Sequence, residues 1–251
     1  METLPLEETA HFMPTRRARW GPWATLAWAA GGGLVMMVSQ TIGAGVYLLW
    51  LRMAHPERSI PLDSLASNGP LLTFAFLVST PFVLGYFVLA VKLTGIPLTE
   101  YLALKWPRWL DIVIGIAALA AVLLLAGLAA SASGQETPQF MTETFASARA
   151  AGMLPLFAFS FMVLPPLQEE ILFRGFLYRG LVPALGPAAT IVATSAVWAV
   201  IHLQYDWFFV GEIFLLGISL GWLRWKSDST ILTMMLHATM NGLALLQLAT
   251  T

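Results

Sequence analysis

The stretch WLDIVIGIAALAAVLLLAGLAAS, residues 109–131, carries Asp111 near its start and no charge in the twenty residues that follow. At 1.5 Å per residue, about 20 residues of helix cross the roughly 30 Å hydrocarbon core of a bilayer. A helix apolar on all sides has no place on the surface of a soluble globule. Six more apolar runs occupy 22–50, 70–91, 152–172, 187–203, 208–223 and 229–248, with 152–172 continuing as helix to about 181. The expected fold class is all-α: a polytopic transmembrane helix bundle of about seven spans. The count runs from six to eight, because the long first run either tilts as one helix or breaks at Gly31, Gly32 and Gly33.

Composition points the same way. With 58% of its 251 residues hydrophobic and 11% charged, the chain has too little polar surface to coat a soluble globule. The net charge is -1 and the basic residues are scattered between apolar runs, which leaves membrane lipids as partners and no face for nucleic acid. The absence of cysteine excludes disulfides, thiolate nucleophiles and Cys-ligated metal.

Charge placement orients the spans. Lys and Arg in short loops stay on the cytoplasmic side, and Arg16/Arg17/Arg19, Lys92/Lys105/Arg108, Arg174/Arg179 and Arg224/Lys226 fall on one side of the alternation. Residues 1–19 are unlike the short basic start of a cleavable signal and read as a polar cytoplasmic tail. Residues 20–150 then form N-terminal transmembrane helices without a motif, and 151–251 a functional helix bundle of the last four helices. The Ser-, Thr-, Gln- and Glu-containing stretch 131–150 reads as the longest outer loop, at the seam between the two.

An ionised side chain near the bilayer centre costs on the order of 3 kcal/mol, so each one needs a partner or a task. In Pro165-Pro166-Leu167-Gln168-Glu169-Glu170-Ile171-Leu172-Phe173-Arg174, Glu170 and Arg174 are one helical turn apart with the acid first, the favourable order for an ion pair. Glu169 points about 100° away around the same helix and has no sequence-local partner. Two later helices offer Trp198-Ala199-Val200-Ile201-His202 and His237-Ala238-Thr239-Met240-Asn241, in which i, i+4 spacing puts Trp198 with His202 and His237 with Asn241. Counted from a turn near Pro183–Pro187, Glu169 and His202 each lie about 22 Å along their helices and should meet at one level.

A carboxylate, two imidazoles and a carboxamide suit hydrolysis. The glutamate and an imidazole can activate water, and imidazole and amide N–H groups can hold an oxyanion. Zinc accepts the same residue types, which makes Glu169, His202 and His237 the alternative metal set. The helical H-E-x-x-H signature is absent, so a site without a cofactor is the first expectation.

Glu169-Glu170-x-x-x-Arg174, Trp198-x-x-x-His202 and His237-x-x-x-Asn241, in that order on successive helices over about residues 160–245, resemble the three motifs of the CPBP family. This is the CAAX protease and bacteriocin-processing (Abi) family of intramembrane endopeptidases. It includes the Rce1-type proteases that remove the last three residues of prenylated proteins. The resemblance implies an intramembrane protease in which Glu169 and His202 activate water, His237 and Asn241 form the oxyanion hole, and Glu170, Arg174 and Trp198 give structural support. Trp198 stands where the family usually has Phe. The implied substrate is a peptide or lipidated protein, and the expected setting is a bacterial cell membrane with the N-terminus cytoplasmic. The alternative is a non-catalytic membrane scaffold or bacteriocin-immunity protein built on the same polar core.

Glu212, beside Gly211, reads as interfacial or helix-pairing. Gly217 and Gly221 read as a small-xxx-small packing pair, and Trp20, Trp23, Trp106 and Trp109 as interface anchors.

Overall fold

The computed structural model describes residues 20–57 and 60–250; the polar tail expected at 1–19 lies outside the described residues. Among these residues every regular element is helical. The helices are α1 (Pro22–Ala54), a one-turn 3-10 helix (Leu62–Ser64), α2 (Gly69–Lys92), the short α3 (Leu98–Tyr101), α4 (Trp109–Ala132), α5 (Gln139–Ala150), α6 (Leu154–Glu170), a π-helical segment (Ile171–Leu177), α7 (Tyr178–Val200), α8 (Trp207–Ser227) and α9 (Thr230–Thr250).

Six segments among the described residues are long and apolar enough to cross a membrane, one of them the 47-residue run Leu154–Val200. The chain is an integral, multi-pass membrane protein. On α4 only 11% of the apolar window is buried inside the protein, so Leu124, Leu125 and Leu128 rely on lipid for cover.

The 47-residue run is two rods. Gly186 sits at φ 73°, ψ 166°, a conformation open to glycine because it lacks a Cβ. The chain reverses there: the Trp198 and Glu169 side chains, 29 residues apart, are hydrogen bonded, whereas a straight helix would hold them roughly 43 Å apart. The reversal falls within the 183–187 turn that the sequence predicts.

One alternative left open by the sequence is decided, and one expectation changes. α1 is one continuous helix of 33 residues, about 50 Å long, with no break at Gly31–Gly33. Its glycines let α2 approach instead, since a Cβ on Gly32 would run into the Phe87 ring. The stretch 131–150 is not all loop, because its second half is α5. Met141 and Phe145 on α5 pack against Phe157 of α6 and Leu245 of α9, which makes this short helix a cap on the C-terminal half.

The main core gathers Phe87 from α2, Tyr101 from α3, Phe176 from the π segment, Trp198 from α7, Leu220 from α8 and Leu232 from α9. α7 and α8 approach closely at the expected small pair: a Cβ on Gly217 would lie 2.9 Å from Ser195 Cβ, and one on Gly221 2.8 Å from Ile191 Cγ2.

Candidate active site

The acidic pair ends α6, a helix that contains Pro165 and Pro166. A proline inside a helix has no N–H for the carbonyl four residues back, so Pro165 leaves Phe161 O unserved by its own helix. In lipid such a carbonyl must find another donor, and Asn241 Nδ2 of α9 supplies it at 3.0 Å. Gln168, which carries no role in the sequence analysis, is buried and fastens the same helix to α2. Its Nε2 donates to Thr80 Oγ1 at 2.7 Å, and its Oε1 accepts from Ser79 Oγ at 3.3 Å. A lone amide inside an apolar run is the signal the sequence offers for it.

After Glu170 the backbone widens into the π segment Ile171–Leu177, a form that recurs at functional sites. Two cations support this irregular stretch. Arg174 Nη2 donates to Gly217 O at 3.2 Å, and Arg224 Nε donates to Arg174 O at 3.0 Å. The ion pair read from spacing is present, with Arg174 Nη1 2.8 Å from Glu170 Oε1 and both side chains almost fully buried. His237 Nδ1 lies 3.0 Å from the same Oε1. Glu170 therefore joins Arg174 to α9.

Glu169 is only partly buried, and it does have a partner from outside its own helix: Trp198 Nε1 donates to its Oε2 at 2.6 Å. No hydrogen bond among the described residues engages Oε1. Trp198 is the hub of the site. Its ring meets the His202 ring at 5.4 Å between centroids and 77°, and the His237 ring at 5.3 Å and 80°. The Arg174 guanidinium carbon lies 4.5 Å from its centroid, within cation–π range.

His202 differs from its expected setting. α7 ends at Val200, and His202 lies in the turn that follows. The i, i+4 relationship survives because His202 Nδ1 reaches Trp198 O at 2.7 Å. A carbonyl can only accept, so Nδ1 carries a proton, and Nε2 presents a lone pair when it carries none. Tyr205, absent from the sequence-level site, stacks on His202 at 6.3 Å and 21° and bonds Met141 Sδ of α5 at 3.2 Å. Burial, with the Glu169 charge adding to it, pushes the Tyr205 hydroxyl pKa up, so it remains a neutral phenol.

Of the four expected polar residues, Glu169, His202 and His237 thus gather at Trp198 and the end of α6, whereas Asn241 meets α6 farther back, at Phe161. Glu169 and His202 each keep one atom free for chemistry, Oε1 and Nε2. His237 and Asn241 each have one group committed internally, to Glu170 and to Phe161 O. Asn241 retains a second amide N–H. Among the described residues no three His, Asp or Glu side chains form a group placed to hold one ion. Glu212 lies on α8 with Oε1 buried and without a hydrogen-bond partner among the described residues, and it joins none of these contacts.

Comparison with known proteins agrees with the motif region. No curated protein and no solved structure matches the chain. Residues 151–243 match the family model described as type II CAAX prenyl endopeptidase Rce1-like. These residues run from the turn before α6 to Leu243 of α9, and so contain all three motifs and the Gly186 reversal. Across residues 151–243, the protein is similar to the Rce1-like type II CAAX prenyl endopeptidases.

Proposed function

We propose that this protein is an intramembrane endopeptidase that hydrolyses a peptide bond near a prenylated, CAAX-type C-terminus, with water activated by Glu169 and His202. The observation that carries the reading is that these two side chains flank Trp198 with Oε1 and Nε2 both free of internal hydrogen bonds. A water held between them gives a proton to Glu169 while its oxygen attacks the scissile carbonyl. When the carbon–nitrogen bond breaks, that proton passes to the departing amine. The oxyanion of the tetrahedral intermediate takes the remaining N–H of Asn241. His237 can add an Nε2–H only when both its ring nitrogens are protonated, because Nδ1 is already directed at Glu170. No metal or other cofactor is required by this scheme. The partners are a peptide or lipidated protein substrate and the membrane lipids.

The test is cleavage of quenched fluorescent peptides, prenylated and plain, by purified protein in detergent. Wild type should cleave, and Glu169→Ala and His202→Ala should each lose activity while remaining folded. Normal cleavage by either variant overturns the mechanism.

One observation favours a second reading, a non-catalytic scaffold or bacteriocin-immunity protein. His237 and Asn241 are engaged in holding α6 to α9, which is what a purely structural polar core would do. That reading expects the biological phenotype to survive Glu169→Gln.

A further inference from the structure

The proposed base has a side-chain partner that the hydrolytic scheme does not use. Glu169 is partly exposed and has several rotatable bonds, so a carboxylate at the end of it would be spread over several positions if nothing held it. Trp198 is the opposite: it is 1% exposed. Arg174 covers one face of its ring at 4.5 Å, while the His202 and His237 rings abut it at 5.4 and 5.3 Å. The indole has one N–H and no acceptor, and here that N–H is spent on Glu169 Oε2 at 2.6 Å. A short bond from a neutral N–H to a carboxylate is among the stronger hydrogen bonds, and it has a defined direction.

We infer that Trp198 is a positioning residue for the proposed hydrolysis: its indole N–H pins Oε2 of Glu169 and leaves Oε1 as the oxygen that takes the proton from water. The inference rests on the hydrolytic reading for its catalytic consequence, but not for the contact itself. The same residue carries His202, whose Nδ1 is held by the Trp198 carbonyl at 2.7 Å. Backbone and side chain of one residue therefore set both groups that would flank the water. Support of this kind, from a rigid neighbour onto a reacting group, is what holds a catalytic geometry to within a fraction of an ångström.

Two replacements separate the N–H from the ring. Trp198→Phe removes the donor and some volume. Incorporation of 3-benzothienylalanine at position 198 keeps the bicyclic shape and exchanges the N–H for sulfur, so it tests the hydrogen bond even where Trp198→Phe fails to fold. Both should lower kcat by about 10- to 100-fold while KM stays within about twofold, as loss of alignment without loss of substrate contacts requires. An unchanged kcat in the isostere overturns the positioning role.

The contact has its own readout that needs no turnover. In protein labelled with nitrogen-15 tryptophan, the indole resonance lost in Trp198→Phe identifies Trp198 among the ten tryptophans. That resonance should move in Glu169→Ala and stay in place in Glu212→Gln. No movement in Glu169→Ala overturns the inference. If wild type cleaves nothing, the hydrolytic reading fails, and the indole resonance still decides whether Trp198 holds Glu169.

Discussion

Asn241 of α9 donates to Phe161 O of α6 at 3.0 Å, and Phe161 O is the carbonyl that Pro165, lacking an N–H, cannot serve. One amide thereby repairs a defect that the sequence itself puts into the helix carrying Glu169. Asn241→Ala should destabilise the protein by about 1 kcal/mol, the scale of interhelical hydrogen bonds in membranes. The loss should shrink when Pro165→Ala is added, because that substitution restores an N–H and with it the helix's own bond. Thermal unfolding in detergent of the two single variants and the double variant measures this coupling; strict additivity would separate Asn241 from the proline.

The Glu170–Arg174 pair is buried on both sides, and removing one member leaves the other charge without its counterpart. Arg174→Ala should cost about 3–5 kcal/mol. Arg174→Lys should recover part of it, since an ammonium can meet Glu170 but has no planar fork to reach Gly217 O as well. Unfolding midpoints in detergent, taken beside wild type, check the order.

Asp228 links the loop after α3 to the α8–α9 connection. It pairs with Lys105, and with Arg224 at 2.8 Å. Burial raises its carboxyl pKa, but Arg224 and Lys105 outweigh this and hold it below the ordinary value of 3.8. A depressed folded-state pKa stabilises above the unfolded pKa and loses that contribution as the pH falls through the folded one. Asp228→Asn should therefore lower the unfolding midpoint at pH 7, and the gap should close in acid below the depressed pKa. With the side chain half exposed, the effect at neutral pH should be under about 1 kcal/mol. A gap that widens in acid would reverse the assignment.

Glu169, His202 and His237 belong to no group of three side chains placed to hold one ion. Cleavage should accordingly persist in a chelator, and the purified protein should carry no stoichiometric zinc by elemental analysis. Loss of activity with chelator and its return with zinc would require a different arrangement of these residues.

Much of this is legible in the sequence where the signal is local. Glu170 and Arg174 meet because a four-residue spacing is one helical turn, and Trp198 meets His202 for the same reason. Gly186 reverses the chain within a segment already marked by Pro183 and Pro187. The unread parts depend on residues far apart in sequence. The indole of Trp198 reads as packing until a partner 29 residues away is known. Gln168 finds Ser79 and Thr80 only once α2 is in place. The π segment has no periodicity of its own, because the tertiary contacts of Arg174 and Arg224 support it. α5 reads as loop because its polar residues outnumber the few apolar ones that dock on α6 and α9.

The most direct test of the central claim is hydrolysis of a prenylated CAAX peptide in water enriched in oxygen-18, followed by mass spectrometry of the new carboxyl terminus. Wild type should release product with one labelled oxygen, and folded Glu169→Gln should release none on the same timescale. Labelled product from Glu169→Gln at the wild-type rate would contradict the assignment of Glu169 as the group that activates water.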